Sequence, residues 1–293
     1  MEGRDKMERT LIYKNHKGDM ITFTYKPPFL LSICDGFHET VGTVNSVSSA
    51  YGVGTTWNGT SIGQRDLTIK GTITDNIQEN RLLLYDMFPL NSEGTLYYYE
   101  GDIERKITCL VEKVSIPEKK GFTRDFSISL VCPNPRFSAL AATILSMATW
   151  TPAFKFKLVI PKNKGIKFGT KNTTSMGTTE NTTEIDYGMT IKFKANDTVK
   201  NPYLFNVTTR DIIQIEKTMS AGDQIIITTH IDNKNVIYKN AVTGEEENIN
   251  YLIMYGSKYL QVPSGTNTFR SGADSGEDNL ETTIEFLPEY EAV

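Results

Sequence analysis

The sequence predicts a mainly β protein of two β-sandwich-like domains joined by a short helix, and three observations lead there. Apolar residues recur at every second position, with Thr, Lys or Ser between them, in many short segments; that is the pattern of a half-buried strand. Gly, Pro, Asn or Asp separates most of these segments, and many short strands with turns between them build antiparallel sandwiches or barrels. The 293 residues correspond to roughly two domains at about 150 residues each, and only two segments read as helices.

In chain order, TLIYK, MITFTY and FLLSI open the molecule as strand candidates. Residues Glu39 to Thr60 are Gly-rich and poor in bulky apolar groups, which suits an arm or a disordered loop better than a core strand. In Asp66 to Ile73, Leu67, Ile69 and Ile73 share one face while Thr68, Lys70 and Thr72 take the other. Asp75 is placed to cap a helix through NIQENRLLLYDMF, whose Ile77, Leu83, Leu84, Met87 and Phe88 gather on one side before Pro89 ends the run. TLYYY and RKITCLVEKV follow as strands, and Phe126, Ile128 and Leu130 alternate in DFSISLV.

The Ala-rich segment FSALAATILSMATW stops before Pro152 and reads as the second helix. It divides the chain into a first domain over 1–138, a helical linker over 139–153 and a second domain over 154–293. The second domain opens with Phe154, Phe156, Leu158 and Ile160 alternating in FKFKLVI, and its longest alternating run is Ile185, Tyr187, Met189, Ile191 and Phe193. DIIQIEK, DQIIITT, NVIYKN, NYLIMYG and TTIEFL complete its strands. Lys171 to Glu184 and Arg270 to Asn279 have little to bury and are expected as exposed loops, and Glu245, Glu246 and Glu247 as an exposed turn.

Composition narrows the function. A formal charge of −4 argues against sequence-independent nucleic-acid binding, which requires concentrated positive charge. Cys34, Cys109 and Cys132 form no CxxC pair or disulfide ladder and are expected to be reduced and buried. The N-terminal residues lack the apolar core of a signal peptide, and no run reaches the roughly 18 apolar residues that span a bilayer. The expectation is therefore a soluble protein of a reducing compartment, in which the Asn-x-Ser/Thr triplets at Asn58, Asn172, Asn181, Asn196 and Asn206 stay unmodified.

Chemistry-bearing patterns are sparse. Nucleophilic catalysis by a hydroxyl or thiol usually requires a base such as His, and the only histidines are His16, His38 and His230, with no GxSxG elbow among the serines. Cys34 and His38 flank the turn signal Asp35-Gly36 and read as a buried thiol beside an exposed ring. Zinc needs three or four closely placed ligands, which so few Cys and His residues do not supply. Asp274, Glu277 and Asp278 read as a solvated acidic loop. Gly52 and Gly54 in YGVGTTWNGT lack the GK[ST] that completes a phosphate loop. No catalytic residue, metal site or cofactor is expected.

One stretch is more specific. NGTSIGQRDLTIKGTI, the helix NRLLLYDMF, and GTLYYYEGDIERKITCLVEKVSIPEKKGFTRDFSISLVCPNPRF follow one another as a Gly-x-Arg-Asp strand, a helix, a hairpin and a strand closing in Cys-Pro-x-Pro. This order resembles the N-terminal domain of the siphophage distal tail protein family. The segments NPYLFNVTTRDIIQIEKTMSAGDQIIITT, YLQVPSGTNTF and TTIEFLPEY are similar to that family's galectin-like C-terminal sandwich.

The resemblance implies a non-enzymatic phage-tail protein that forms a hexameric ring with copies of itself. It implies contacts with the tail tube protein above and with the tail hub protein and a fibre or receptor-binding protein below. DNA would only pass through the lumen, and no membrane is involved. Its place would be the virion tail tip or baseplate, after assembly in the host cytoplasm. Gly63, Arg65 and Asp66 carry the motif, and with Trp57 and Tyr51 they are the candidate assembly residues. Arg65 and Asp66 are open to two readings, an ion pair between subunits or a pair at a strand start within one. The alternative function is glycan recognition by the second domain, with Tyr251, Tyr255 and Tyr259 as candidate stacking residues.

Overall fold

The computed structural model describes residues 8–48, 52–118, 121–147, 150–152, 169–171, 175–231 and 233–293. Two compact units form, one from Met1–Leu140 together with Glu289–Val293, the other from Ala141–Pro288. The second unit is thus inserted in the sequence of the first, whereas the alternation had assigned everything to residue 293 to the second domain. The tertiary reason is a short strand pair in which Phe137 stands opposite Tyr290 and Ser138 opposite Glu289.

The first unit contains β1 (Thr10–Lys14), β2 (Met20–Phe23), β3 (Phe29–Asp35), β4 (Thr43–Ser48), β5 (Thr55–Ser61), β6 (Arg65–Ile73), α1 (Ile77–Met87), β7 (Glu93–Glu100), β8 (Ile103–Ser115), β9 (Arg124–Cys132) and β10 (Phe137–Ser138). Its main sheet runs β2-β1-β7-β8-β9-β6-β3, and β4 and β5 form a separate hairpin. The sheet curls until its two edges meet: Leu31 N–H donates to Thr24 O at 2.7 Å and Thr24 N–H to Phe29 O at 3.4 Å. Leu67, Ile69 and Ile73 point inward with Leu11, Tyr13, Leu96, Tyr98, Ile128 and Leu130, so the alternating faces converge on one core.

Helix α1 forms where expected but is not capped as expected. Asn76, not Asp75, is the N-cap, with φ at 39° and no side-chain cap bond; Asn tolerates this left-handed conformation better than most residues. Leu84 and Met87 are buried and Phe88 stacks on Tyr13 with centroids 4.1 Å apart, but Leu83 is exposed.

The expected linker helix is absent from the described residues between 137 and 147, which form β10 and then β11 (Thr143–Met147). β11 pairs along β23 (Leu280–Phe286), from Thr143 opposite Phe286 to Met147 opposite Thr282. Met147 is buried and Leu145 packs against the core of the second unit. Strand partners distant in sequence override the helical preference of Ala139, Ala141 and Ala142, because propensity is worth only tenths of a kilocalorie per residue.

Between β11 and β23 the second unit holds β12 (Trp150–Pro152), β13 (Gly169–Lys171), β14 (Met176–Asn181), β15 (Met189–Ala195), β16 (Val199–Asn206), β17 (Asp211–Gln214), β18 (Thr218–Met219), β19 (Gln224–His230), β20 (Asn233–Lys239), β21 (Glu246–Asn248) and β22 (Gly265–Ser275). One sheet runs β11-β23-β15-β19-β20-β21; the other runs β14-β22-β16-β17, with β18 also on β16, and β12 pairs β13 separately. Ile191, Phe193, Ile225 and Ile227 from the first sheet share a core with Val199, Leu204, Ile213 and Phe269 from the second, which makes this unit a sandwich.

The expected strand FKFKLVI lies outside the described residues. Three expected loops are strands in part: Met176–Asn181 is β14, Arg270 to Ser275 is the second half of β22, and Glu246–Asn248 is β21. β14 and β21 are edge strands, where main-chain bonding to one neighbour suffices and polar side chains face water.

Candidate assembly site

Arg65 opens β6, and strand alternation turns its side chain inward while Asp66 faces out. The Arg65 guanidinium then meets four main-chain carbonyls from three segments. Nη1 donates to Gly36 O and Glu39 O, each at 2.6 Å, Nε donates to Pro135 O at 2.6 Å, and Nη2 donates to Glu291 O. The Phe137 ring lies 5.1 Å from the guanidinium carbon. Burial pushes the pKa of Arg65 down, opposed by nearby acidic groups that include Glu291 and Glu39. A planar guanidinium with donors in several directions suits such a junction, whereas a lysine ammonium would not reach all four carbonyls.

This geometry corrects the reading of Arg65 and Asp66 as a pair within one chain. The two side chains point to opposite faces, and Asp66 instead accepts from Gln64 Nε2 at 3.2 Å. An ion pair from Arg65 to a neighbouring subunit would require it to abandon the four carbonyls of its own chain.

Arg65 also anchors the root of the β4–β5 hairpin, since Glu39 leads into β4 and Gly63 and Gln64 lead out of β5. The hairpin is paired from Thr43 opposite Ser61 to Ser48 opposite Thr55. No residue from Thr40 to Gln64 is charged, yet Val41, Val44, Val47, Val53, Trp57 and Ile62 are all exposed, Trp57 at 67% and Val53 fully. Trp57 Nε1 donates to Thr60 Oγ1 at 3.3 Å. A Cβ added at Gly63 would meet no atom within 4 Å, so crowding does not require glycine there. A cleft of about 290 Å³ at the hairpin root is lined by Glu39, Val41, Ile62 and Arg65 among others. Tyr51 lies outside the described residues.

Other sequence candidates are dispersed. Arg9 Nη2 donates to His38 Nε2 at 3.1 Å, and His38 Nδ1 faces Val293 O at 3.3 Å, so both ring nitrogens are engaged away from a catalytic role toward Cys34. Burial pushes the Cys34 thiol up. Asp274 accepts from Asn201 at 2.8 Å and from Gln214 at 2.9 Å. Tyr251 and Tyr255 are exposed at 72% and 103%, while Tyr259 packs against the sandwich core.

The sequence reading missed the C-terminal segment. Glu289 meets Arg136 at 3.2 Å, the Arg105 guanidinium lies 3.5 Å from the Tyr290 ring centroid, and Val293 N–H donates to Phe37 O at 3.4 Å. These partners are far apart along the chain, and no local pattern links them.

Known proteins fit this architecture. Residues 16–132 match the model of the phage tail protein RIFT-related domain, and residues 181–290 match that of the siphovirus-type tail component, C-terminal domain. No curated protein matches the sequence. Among solved structures, the chain is similar to the Dit protein of phage SPP1, described as a paradigm of the hub adsorption apparatus in phages infecting Gram-positive bacteria. The TM-score is 0.67 at 10% identity, covering 96% of this chain and 99% of that one. It is also similar to a chain of the phage p2 baseplate in its activated conformation with calcium, at a TM-score of 0.54 and 13% identity, covering 98% and 99%. The solved structures agree in fold, and the two sequence models place a tail domain on each unit: the chain belongs to the siphophage distal tail protein family and is a structural component of the phage tail.

Proposed function

We propose that this protein assembles into a hexameric ring that joins the last ring of the tail tube to the hub and the host-adsorption apparatus, without catalysis. The uncharged, exposed hairpin between Thr40 and Gln64 carries the reading. Exposed apolar surface on an ordered element marks a contact site, and a ring of identical chains needs a heterologous contact that closes. The hairpin is tied to the barrel-like sheet by Arg65 and presents the free edges of β4 and β5. In this role it reaches a neighbouring copy, the tube protein sits above, and the hub and a fibre or receptor-binding protein dock below.

Native mass spectrometry and light scattering across a concentration series test this reading. A closed six-subunit species is expected. Strict monomers that also fail to form rings when mixed with purified tail tube protein would overturn it.

A second reading, glycan recognition by the sandwich unit, is favoured by the exposure of Tyr255 and of Tyr251, whose OH donates to the Glu247 carboxylate at 2.9 Å. Binding of host wall polysaccharide that is lost on Tyr251→Ala and Tyr255→Ala would support it, and no binding by the intact protein would remove it.

A further inference from the structure

Cys109 in β8 and Cys132 at the end of β9 are fully buried, and both thiols are free. Leu110 stands opposite Val131 in the β8–β9 ladder, so one step along the register Cys109 faces Cys132. The main-chain bonding pattern shows what kind of pair they make. Val111 N–H donates to Ser92 O at 3.3 Å, on the β7 side of β8, and the register irregularity of β8 falls after Val111. Counting back by two, Cys109 also turns its main-chain groups to β7, where it faces Gly94. Toward β9 it is therefore in a non-hydrogen-bonded position. Opposite residues of that kind have Cα atoms about 4.5 Å apart with side chains close together, inside the roughly 4.4–6.8 Å that a disulfide spans.

Both side chains point into the same core, and their contact is close enough for a thiol–thiol hydrogen bond. That bond is the largest cause pushing the Cys109 thiol up, ahead of burial. Cys109 Sγ also donates to Gly94 O at 3.7 Å. Cys132 lies directly opposite Arg65 on its other flank, so a covalent link here would tie β8 to β9 next to the junction that roots the hairpin.

We propose that Cys109 and Cys132 are a latent disulfide site that closes once the assembled tail leaves the reducing cytoplasm of its host. Disulfides persist in oxidising surroundings that include virion surfaces. The oxidant is a peroxide, small enough to reach a buried pair. One thiolate attacks hydrogen peroxide, breaking its O–O bond to give a sulfenic acid and hydroxide. The second thiol then displaces the sulfenic oxygen as water, forming the Sγ–Sγ bond. Each sulfur gives up one electron and one proton, and the peroxide is reduced to water. Reaction is slow, because burial disfavours the thiolate that starts it.

The test uses the full chain, purified with reductant, exchanged into hydrogen peroxide, quenched and denatured in an alkylating reagent. Intact mass should show the loss of two hydrogens with a single alkylated cysteine. A non-reducing peptide map should contain Cys109 linked to Cys132, with Cys34 as the alkylated site. Alkylation of both Cys109 and Cys132 after prolonged exposure, their separate oxidation to sulfinic acids, or a link from either to Cys34 would overturn the proposal. Cys34→Ser, which leaves the pair untouched, should still lose two hydrogens. The readout is independent of oligomeric state, so failure here is separate from failure of the ring.

Discussion

A buried arginine that binds only carbonyls is an unusual use of a charge. Arg65 serves as a covalently fixed stand-in for the water that Gly36, Glu39, Pro135 and Glu291 carbonyls would otherwise need, since buried main-chain oxygens without donors are costly. Arg65→Met keeps much of the packing and removes every donor; it should cost about 3 kcal/mol or more in denaturant unfolding, and a cost below about 1 kcal/mol would show that the carbonyls find other partners. Asp223 plays the mirror role in the sandwich. It is 3% exposed and accepts from Tyr238 OH at 2.7 Å, Ser220 N–H at 2.8 Å and Ala241 N–H at 3.0 Å. Burial alone would raise its pKa, but these hydrogen bonds and the Lys217 charge outweigh burial and hold it below 3.8. A carboxylate depressed in the folded state stabilises the fold above its unfolded pKa, and that contribution fades as pH falls through the folded value. The stability difference between wild type and Asp223→Asn should therefore be largest near neutral pH and shrink in strong acid, as measured by urea unfolding at several pH values.

At the scale of elements, the hairpin and the helix differ in what they bury. Helix α1 is held by Leu84 and Met87 in the core. The β4–β5 hairpin has no such anchor: all six residues of β4 are exposed, and its fixed point is Arg65 at its root. Substitution of exposed residues away from special contacts usually changes stability by less than about 0.5 kcal/mol. The triple change Val44→Ser, Val47→Ser and Trp57→Ser should leave the unfolding midpoint of the monomer unchanged while abolishing the six-subunit species in native mass spectra. A parallel fall in both would assign the hairpin to folding rather than assembly. The turn before the hairpin is less tolerant. Gly36 has φ at +81°, and a Cβ there would lie 2.1 Å from Asp66 O, so Gly36→Ala combines a strained conformation with a main-chain clash. It should cost at least about 2 kcal/mol by the same unfolding measurement.

In the whole molecule, the decisive feature is that residues 289–293 return to the first unit after the sandwich. Glu289–Val293 belongs to the first unit, tied there by the pairing of Phe137 with Tyr290, by Arg136 on Glu289 and by Arg65 on Glu291. Deleting residues 289–293 should lower the stability of the first unit by about 3 to 5 kcal/mol. The sandwich should keep its own transition. Hydrogen exchange checks both: protection should fall in β6, β9 and β10 and persist in β15 and β19. Loss of protection throughout would mean that the two units fold as one.

Much of this architecture is written locally. Strands β6, β9, β15 and β19 were legible because each carries its own alternation, and a period of two needs no knowledge of the partner. Residues 137 to 147 were misread as a helix because their alanines favour one, and only the distant strands near 290 and 284 made extended pairing better. β14 looked like a loop because an edge strand bonds through its main chain and needs few apolar side chains, and the second half of β22 because its inward residues, Ser271, Gly272 and Ala273, are small. The partners of Arg65, the return of the C-terminus and the juxtaposition of Cys109 with Cys132 were all decided by tertiary pairing. Each joins residues whose separation in the chain leaves no periodic trace, since register across strands is settled by which faces must be buried together.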